Sequence, residues 1–198
     1  MTHARRSSKA LVLCLLFTAA LAAADLISKD AAAAALPCDP TAQQDCRIIP
    51  GRAPNQAGGI EVVPGYLDFS YAENPGAAFG VLSTAPKPLR LGLFTITACG
   101  ACLALLWTFS RGLFGPFYAW SVPFIVSGAV GNLIDRFRFG YVVDFIRFHI
   151  HDGWEYPTFN VADITIAIGA VLLLIDGFRG SASTRSANRQ PSPEGQIG

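Results

Sequence analysis

Asp144 sits at the centre of the apolar run Val142-Val143-Asp144-Phe145-Ile146, and Asp163 is followed by a long apolar stretch. A carboxylate among aliphatic side chains loses hydration, and two in one low-dielectric site push one pKa upward. The result is one acid and one base, a pair able to activate a water against an amide carbonyl without a metal or a covalent intermediate. Asn160 and Asp163 lie three positions apart, while Asn132/Arg136 and Asp25/Lys29 lie four apart. On a helix each of these spacings puts both side chains on one face. Asp135 is a further acidic candidate, read either as an ion-pair partner in Asp135-Arg136 or as a catalytic acid. The plainer reading of such residues is that they end helices and snorkel to an interface. That reading suits Lys87, Arg111 and Asp176 and suits Asp144 and Asp163 poorly.

The elements that must hold these groups are membrane spans. The chain has 198 residues, of which 52% are hydrophobic and 15% charged, with mean hydropathy +0.39 and net charge +1. A soluble domain carries about a quarter charged residues. Disorder, collagen-like repeats and a small disulfide scaffold are excluded on the same grounds, and no basic field for nucleic acid exists. A hydrocarbon core of roughly 30 Å needs about 20 helical residues. Four stretches qualify, at about 10–36, 91–110, 112–134 and 159–178. The polar residues singled out above fall at one end of these spans, so they can meet at one depth. A charge inside a span costs a few kcal/mol and marks a task.

Lys and Arg are divided almost evenly between the two sides, so the raw count does not orient the chain. The basic residues Arg5, Arg6 and Lys9 before the first span decide it, and both termini are expected in the cytoplasm. A competing reading treats 11–24 as a secretory leader with a cleavage site at Ala22-Ala23-Ala24. The segments 37–90 and 135–158 then face outward. Ile60 to Tyr71 and Tyr141 to Ile150 are rich in Val, Tyr, Phe and Ile, which predicts short strands. The expected organisation is a basic amino terminus (1–9), one membrane domain (10–178) and a disordered cytoplasmic tail (179–198).

Four blocks of this sequence resemble the lipoprotein signal peptidases (signal peptidase II) of bacteria. They are Ala24-Asp25-Leu26-Ile27-Ser28-Lys29; Glu73-Asn74-Pro75-Gly76-Ala77-Ala78-Phe79-Gly80; Gly128 to Arg136 continuing through Gly140-Tyr141-Val142-Val143-Asp144-Phe145-Ile146; and Phe159-Asn160-Val161-Ala162-Asp163. The resemblance implies a membrane all-α fold, a bundle of four transmembrane helices with a small extracytoplasmic β-cradle. It implies an aspartic endopeptidase of the inner membrane, with its site near the periplasmic face. Its substrates would be diacylglyceryl-modified prolipoproteins, cut just before the lipidated Cys. It implies Asp144 and Asp163 as the catalytic dyad, with Asn74, Gly76, Ala78, Asn132, Arg136 and Asn160 lining the site. Asp25 and Lys29 would support it from the first helix. No cofactor, metal or nucleic acid is expected. Membrane lipid surrounds the chain, a monomer is expected, and the inhibitor globomycin should act on it.

The sequence departs from the family pattern at Pro75, which removes a backbone donor beside Asn74, at Gly80, and in an insertion over 38–59 read as a surface loop. Cys38 and Cys46 would face an oxidising compartment where a disulfide is reasonable. Cys99-Gly100-Ala101-Cys102 has redox spacing but lies in an apolar helix, where close packing of small residues is the expected reason. His149 and His151 flank Ile150 on a strand and carry no metal spacing. Two other functions are weighed: a membrane thiol oxidoreductase using Cys99 and Cys102, and a small non-enzymatic transporter. Both leave the Asp and Asn pattern unexplained.

Overall fold

The computed structural model of the protein describes residues 7–36, 60–76, 82, 84–113, 115–151 and 153–187, with the backbone alone from 180 to 187. The expectations for Cys38 and Cys46, for the 38–59 insertion, for Ala78 and for Gly80 lie outside the described residues. Four helices, α1 (Ser8–Ala35), α2 (Lys87–Arg111), α3 (Pro116–Arg138) and α4 (Val161–Ala187), are joined by four strands: β1 (Ile60–Val63), β2 (Leu67–Asn74), β3 (Val142–Ile150) and β4 (Trp154–Phe159). Each helix is long and apolar enough to cross a membrane, α4 over Val161–Arg179.

Helix α1 begins at the Ser7 cap, whose hydroxyl accepts from Ala10 N at 3.3 Å. It runs unbroken through 22–24. Its buried residues are Cys14, Thr18, Ala22, Asp25, Lys29 and Ala32. Steps of three and four put them on one stripe, so the Asp25/Lys29 pair belongs to the packed face. Helix α3 packs against each of the other helices. Its contact with α4 is close because glycines line it. A Cβ at Gly128 would run into Ala162 O, and one at Gly169 would reach Ser121 O at 2.9 Å. Without a hydrophobic drive between spans, such close approach is what holds membrane helices together.

The helix bounds differ from the expected ones for physical reasons. Helix α2 starts at Lys87, before the expected 91, because Pro88 suits a first turn whose N–H groups need no helical partner. It ends where Gly112 turns left-handed at φ +64°. Helix α3 therefore starts at Pro116, after the Gly115 cap, and carries on to Arg138. Asp176 Oδ2 accepts from Gly115 N at 3.0 Å, a carboxylate at a positive helix end. Helix α4 starts later than expected, at Val161, and continues to Ala187, past the expected start of the tail.

The sheet is antiparallel in the order β1-β2-β3-β4. Strands β1 and β2 turn through Pro64-Gly65, with Gly65 at φ +74° and Tyr66 N donating to Val63 O at 2.9 Å. Proline followed by a positive-φ glycine is the signature of a type II turn. Strand β4 falls where the sequence reading placed only a loop and the start of a helix. Its pairing with β3 slips between Ile146/Phe159 and Phe148/Tyr156, at Pro157, which cannot donate to a ladder. One end of the sheet is pinned by a cluster of Ala32 from α1 and its cap residue Leu36 with Tyr71, Val143 and Phe145.

Candidate active site

Three elements bring Asp144, Asp163 and their asparagine partners together: β2, β3 and the start of α4, over the C-terminal end of α3. Asn74 ends β2 opposite Val142, and Ala72 pairs with Asp144. An extra β2 residue between Phe69 and Ala72 breaks the regular ladder. Such bulges re-aim side chains beside functional sites. Asp144 is 1% exposed.

Asn160 caps α4. Its Oδ1 accepts from Asp163 N at 3.0 Å, while Asp163 Oδ2 accepts from Asn160 N at 3.2 Å. This reciprocal pair is a capping box with Asp in the third helical position. It explains locally why an Asn-x-x-Asp run opens the helix and where Asp163 must point. The remaining Asn160 group, Nδ2, donates to Asp144 Oδ1 at 2.6 Å. Asn74 Nδ2 donates to Asp144 Oδ2 at 3.0 Å, and Asn132 Nδ2 donates to Asp163 Oδ1 at 2.9 Å. Asn160 Nδ2 also approaches Asn132 Oδ1 at 3.2 Å. The two carboxylates therefore share one network of side-chain amides.

Burial is the main cause that raises the Asp144 carboxyl from its ordinary 3.8 to about 7. The Asp163 charge adds to the rise, and the hydrogen bonds from Asn74 and Asn160 oppose it. Near neutral pH, Asp144 can therefore hold a proton next to a second carboxylate. Asp163 is only partly buried and can be reached by water.

Arg136 stands beside this pair. Its Nη2 donates to Gly76 O at 2.8 Å and its Nη1 to Asn132 O at 3.2 Å. Its guanidinium lies 4.3 Å from the centre of the Phe94 ring on α2. The Gly76 N–H donates to Asn74 Oδ1 at 3.1 Å, so Gly76 ties Asn74 to Arg136 through its own N–H and C=O. Phe94 was not singled out from the sequence, because one Phe in an apolar span carries no local signal.

Behind the dyad lies a buried ionic group. Lys29 Nζ is 2.8 Å from Asp25 Oδ2 and 3.2 Å from Asp135 Oδ2, and it donates to Asn132 Oδ1 at 2.8 Å. Asp25 Oδ1 accepts from Ala162 N at 2.7 Å, and Asp135 Oδ2 from Val143 N at 3.1 Å. Of the two readings weighed for Asp135, the geometry fits ion pairing, but with Lys29 in place of Arg136. Its carboxylate is 0% exposed.

Among the described residues no group of three or more His, Cys, Asp or Glu is placed to hold a metal ion. Cys99 and Cys102 are free thiols on α2, with Cys99 exposed on the helix surface. His149 Nε2 lies 3.0 Å from Asp68 Oδ2, within an ion-pair cluster of the outer sheet.

The family model for signal peptidase (SPase) II matches residues 17–179. The lipoprotein signal peptidase of Clostridium tetani (strain Massachusetts / E88) is 41% identical over 116 residues, covering 59% of this chain and 72% of that protein. The lipoprotein signal peptidase of Ectopseudomonas mendocina (strain ymp) is 38% identical over 128 residues, covering 65% of this chain and 76% of that protein. Two solved structures described as bacterial membrane enzymes share the fold. One has a TM-score of 0.68 at 24% identity and covers all of both chains. The other has a TM-score of 0.63 at 26% identity and covers 88% of this chain and 96% of its own.

Proposed function

This chain belongs to the signal peptidase II family, and from that premise we propose that it is an aspartic endopeptidase of the bacterial inner membrane. It removes the signal peptide from diacylglyceryl-modified prolipoproteins by hydrolysis just before the lipidated Cys. Asp144 and Asp163 form its dyad. The observation that carries this reading is the double use of Asn160, whose side chain donates to Asp144 and whose backbone donates to Asp163.

Asp144, carboxyl raised to about 7, is the acid, and the more accessible Asp163 is the base. Asp163 takes a proton from water while the water oxygen bonds to the scissile carbonyl carbon. Asp144 gives its proton to the carbonyl oxygen, forming a neutral tetrahedral diol. The diol collapses, the C–N bond breaks and the proton on Asp163 passes to the leaving nitrogen. A diol hydroxyl returns its proton to Asp144. The products are a signal-peptide carboxylic acid, which then loses its proton to water or to the amine, and the free amine of the lipidated Cys, and both aspartates regain their starting states. General acid–base assistance of this kind is worth about 10²–10⁴-fold per group.

Arg136 and the amides of Asn74, Asn132 and Asn160 surround the position where the peptide backbone would lie. Asp25 and Lys29 support the site from α1. The basic amino terminus supports an orientation with both termini in the cytoplasm and the β-sheet and dyad at the periplasmic face. The protein acts as a monomer. The thiol-oxidoreductase and transporter readings gain no support from this arrangement.

The test is incubation of the purified protein with a diacylated prolipoprotein, with and without globomycin. Release of the signal peptide that globomycin blocks is the expected result. An intact substrate under conditions where the protein is folded and inserted would refute the reading.

A further inference from the structure

Each of the three amides around the dyad could rotate by half a turn and present oxygen where it now presents NH₂. A carboxylate needs the NH₂, so something must fix each amide. For Asn74 the Gly76 N–H donates to Oδ1 at 3.1 Å, which sends Nδ2 to Asp144. For Asn160 the Asp163 N–H donates to Oδ1 at 3.0 Å, which again sends Nδ2 to Asp144. Both of these donors are backbone groups within three residues of the asparagine. Asn132, the one amide that serves the Asp163 side chain, has no such local donor to its oxygen. Its Oδ1 accepts from Lys29 Nζ at 2.8 Å, delivered by another helix 103 residues away in sequence, and at 3.2 Å from Asn160 Nδ2, whose shorter bond is to Asp144 at 2.6 Å.

We infer that Lys29 is a positioning residue, the charged and shorter of two donors to Asn132 Oδ1, which fixes the Asn132 side chain with its NH₂ on Asp163. An ammonium has three donors and no acceptor; Lys29 donates to Asn132 and pairs as an ion with Asp25 and Asp135. The side chain is 1% exposed, so it has no access to a substrate. Rotating Asn132 would set its oxygen against the Asp163 carboxylate and its NH₂ against the ammonium, two repulsions in a buried setting. The same ion group holds the backbone beside the dyad. Asp25 takes the Ala162 N–H and Asp135 the Val143 N–H, one residue before Asp163 and Asp144 respectively. The role rests on the proposed peptidase reading and adds the means by which one carboxylate keeps its donor.

The test is a double-mutant cycle on cleavage of diacylated prolipoprotein, with Lys29→Met, Asn132→Ala and the double variant. Lys29→Met is expected to lower kcat about 100-fold with KM within about threefold, and Asn132→Ala to do the same. The double variant should fall no more than about threefold below Asn132→Ala, because the lysine then has no amide left to orient. Effects that multiply, giving a loss of about 10⁴-fold, would overturn the inference, since Lys29 would then act on the fold alone. If Lys29→Met fails to accumulate, the same cycle in an Asp25→Asn, Asp135→Asn background removes the two carboxylates left unpaired, with the same two readouts. Absence of cleavage by the unaltered protein would instead refute the peptidase reading, so the two failures are distinct.

Discussion

At the inner end of β3, Asp144 is buried and accepts hydrogen bonds from two asparagines. Three residues on, Arg147 pairs with Glu155 at 2.7 Å, with Glu155 46% exposed. Asp68 approaches Arg147 at 3.9 Å and His149 at 3.0 Å. The same strand thus carries charge in two ways. The outer cluster can be rebuilt by water, and exposed pairs of this kind contribute about 0–1 kcal/mol. The inner groups have no such substitute, and removing one partner from a buried pair costs about 3–5 kcal/mol. The arrangement that is costly to assemble is the one around Asp144, where burial holds a carboxyl away from water and raises it toward the protonated form. The outer half of the sheet only has to remain soluble and paired.

Several substitutions test how sharp this division is. Asn160→Ala strips a donor from Asp144 and the cap from α4, and is expected to lower the cleavage rate about 10²–10³-fold, with about 1 kcal/mol lost from the helix start. Rates on lipidated substrate and thermal unfolding in detergent check both parts. Gly131→Ala drives a methyl group into the Asp25 carboxylate, which a Cβ there would overlap. It should destabilise by about 1–3 kcal/mol, read as a lowered unfolding midpoint with activity lost in parallel. An equal stability for this variant would mean that the ionic group behind the dyad is loosely held.

The pH profile sharpens the same contrast. Asp144 is raised to about 7, so the protonated acid is lost as pH climbs through that value. The rate should fall about tenfold per pH unit above it. The sign for stability is the same. The folded chain keeps a proton that the unfolded chain has released above 3.8, so this residue's stabilising contribution is complete below 3.8 and gone above about 7. A cleavage rate still rising at pH 9 would contradict the acid assignment. At the outer end, Arg147→Ala should cost less than about 1 kcal/mol and leave cleavage within about twofold. Smallest of all, Cys99→Ala with Cys102→Ala should leave both rate and unfolding unchanged, whereas a dithiol enzyme would be inactive.

The proposed dyad was legible in the sequence for local reasons. Asp144 and Asp163 stand out because their neighbours are apolar, and Asn160 stands out because Asn-x-x-Asp is a cap written in four residues. The Asp25/Lys29 face was equally plain from its spacing. What escaped is non-local. Nothing in the periodicity of α1 or α3 pairs Lys29 with Asn132 and Asp135, so Asp135 was weighed against its sequence neighbour Arg136. Strand β4 escaped because Pro157 interrupts it and Phe159 reads equally well as the start of an apolar helix. The bounds of α2 and α3 slipped because charged first and last turns look like loop when uncharged length is the criterion. The cytoplasmic placement of the termini rests on the basic amino terminus alone.

The most direct test is cleavage of a diacylated prolipoprotein by Asp144→Asn and by Asp163→Asn, each purified and checked for insertion and unfolding midpoint. The account predicts folded proteins that leave the signal peptide attached. Full activity in either variant would contradict it.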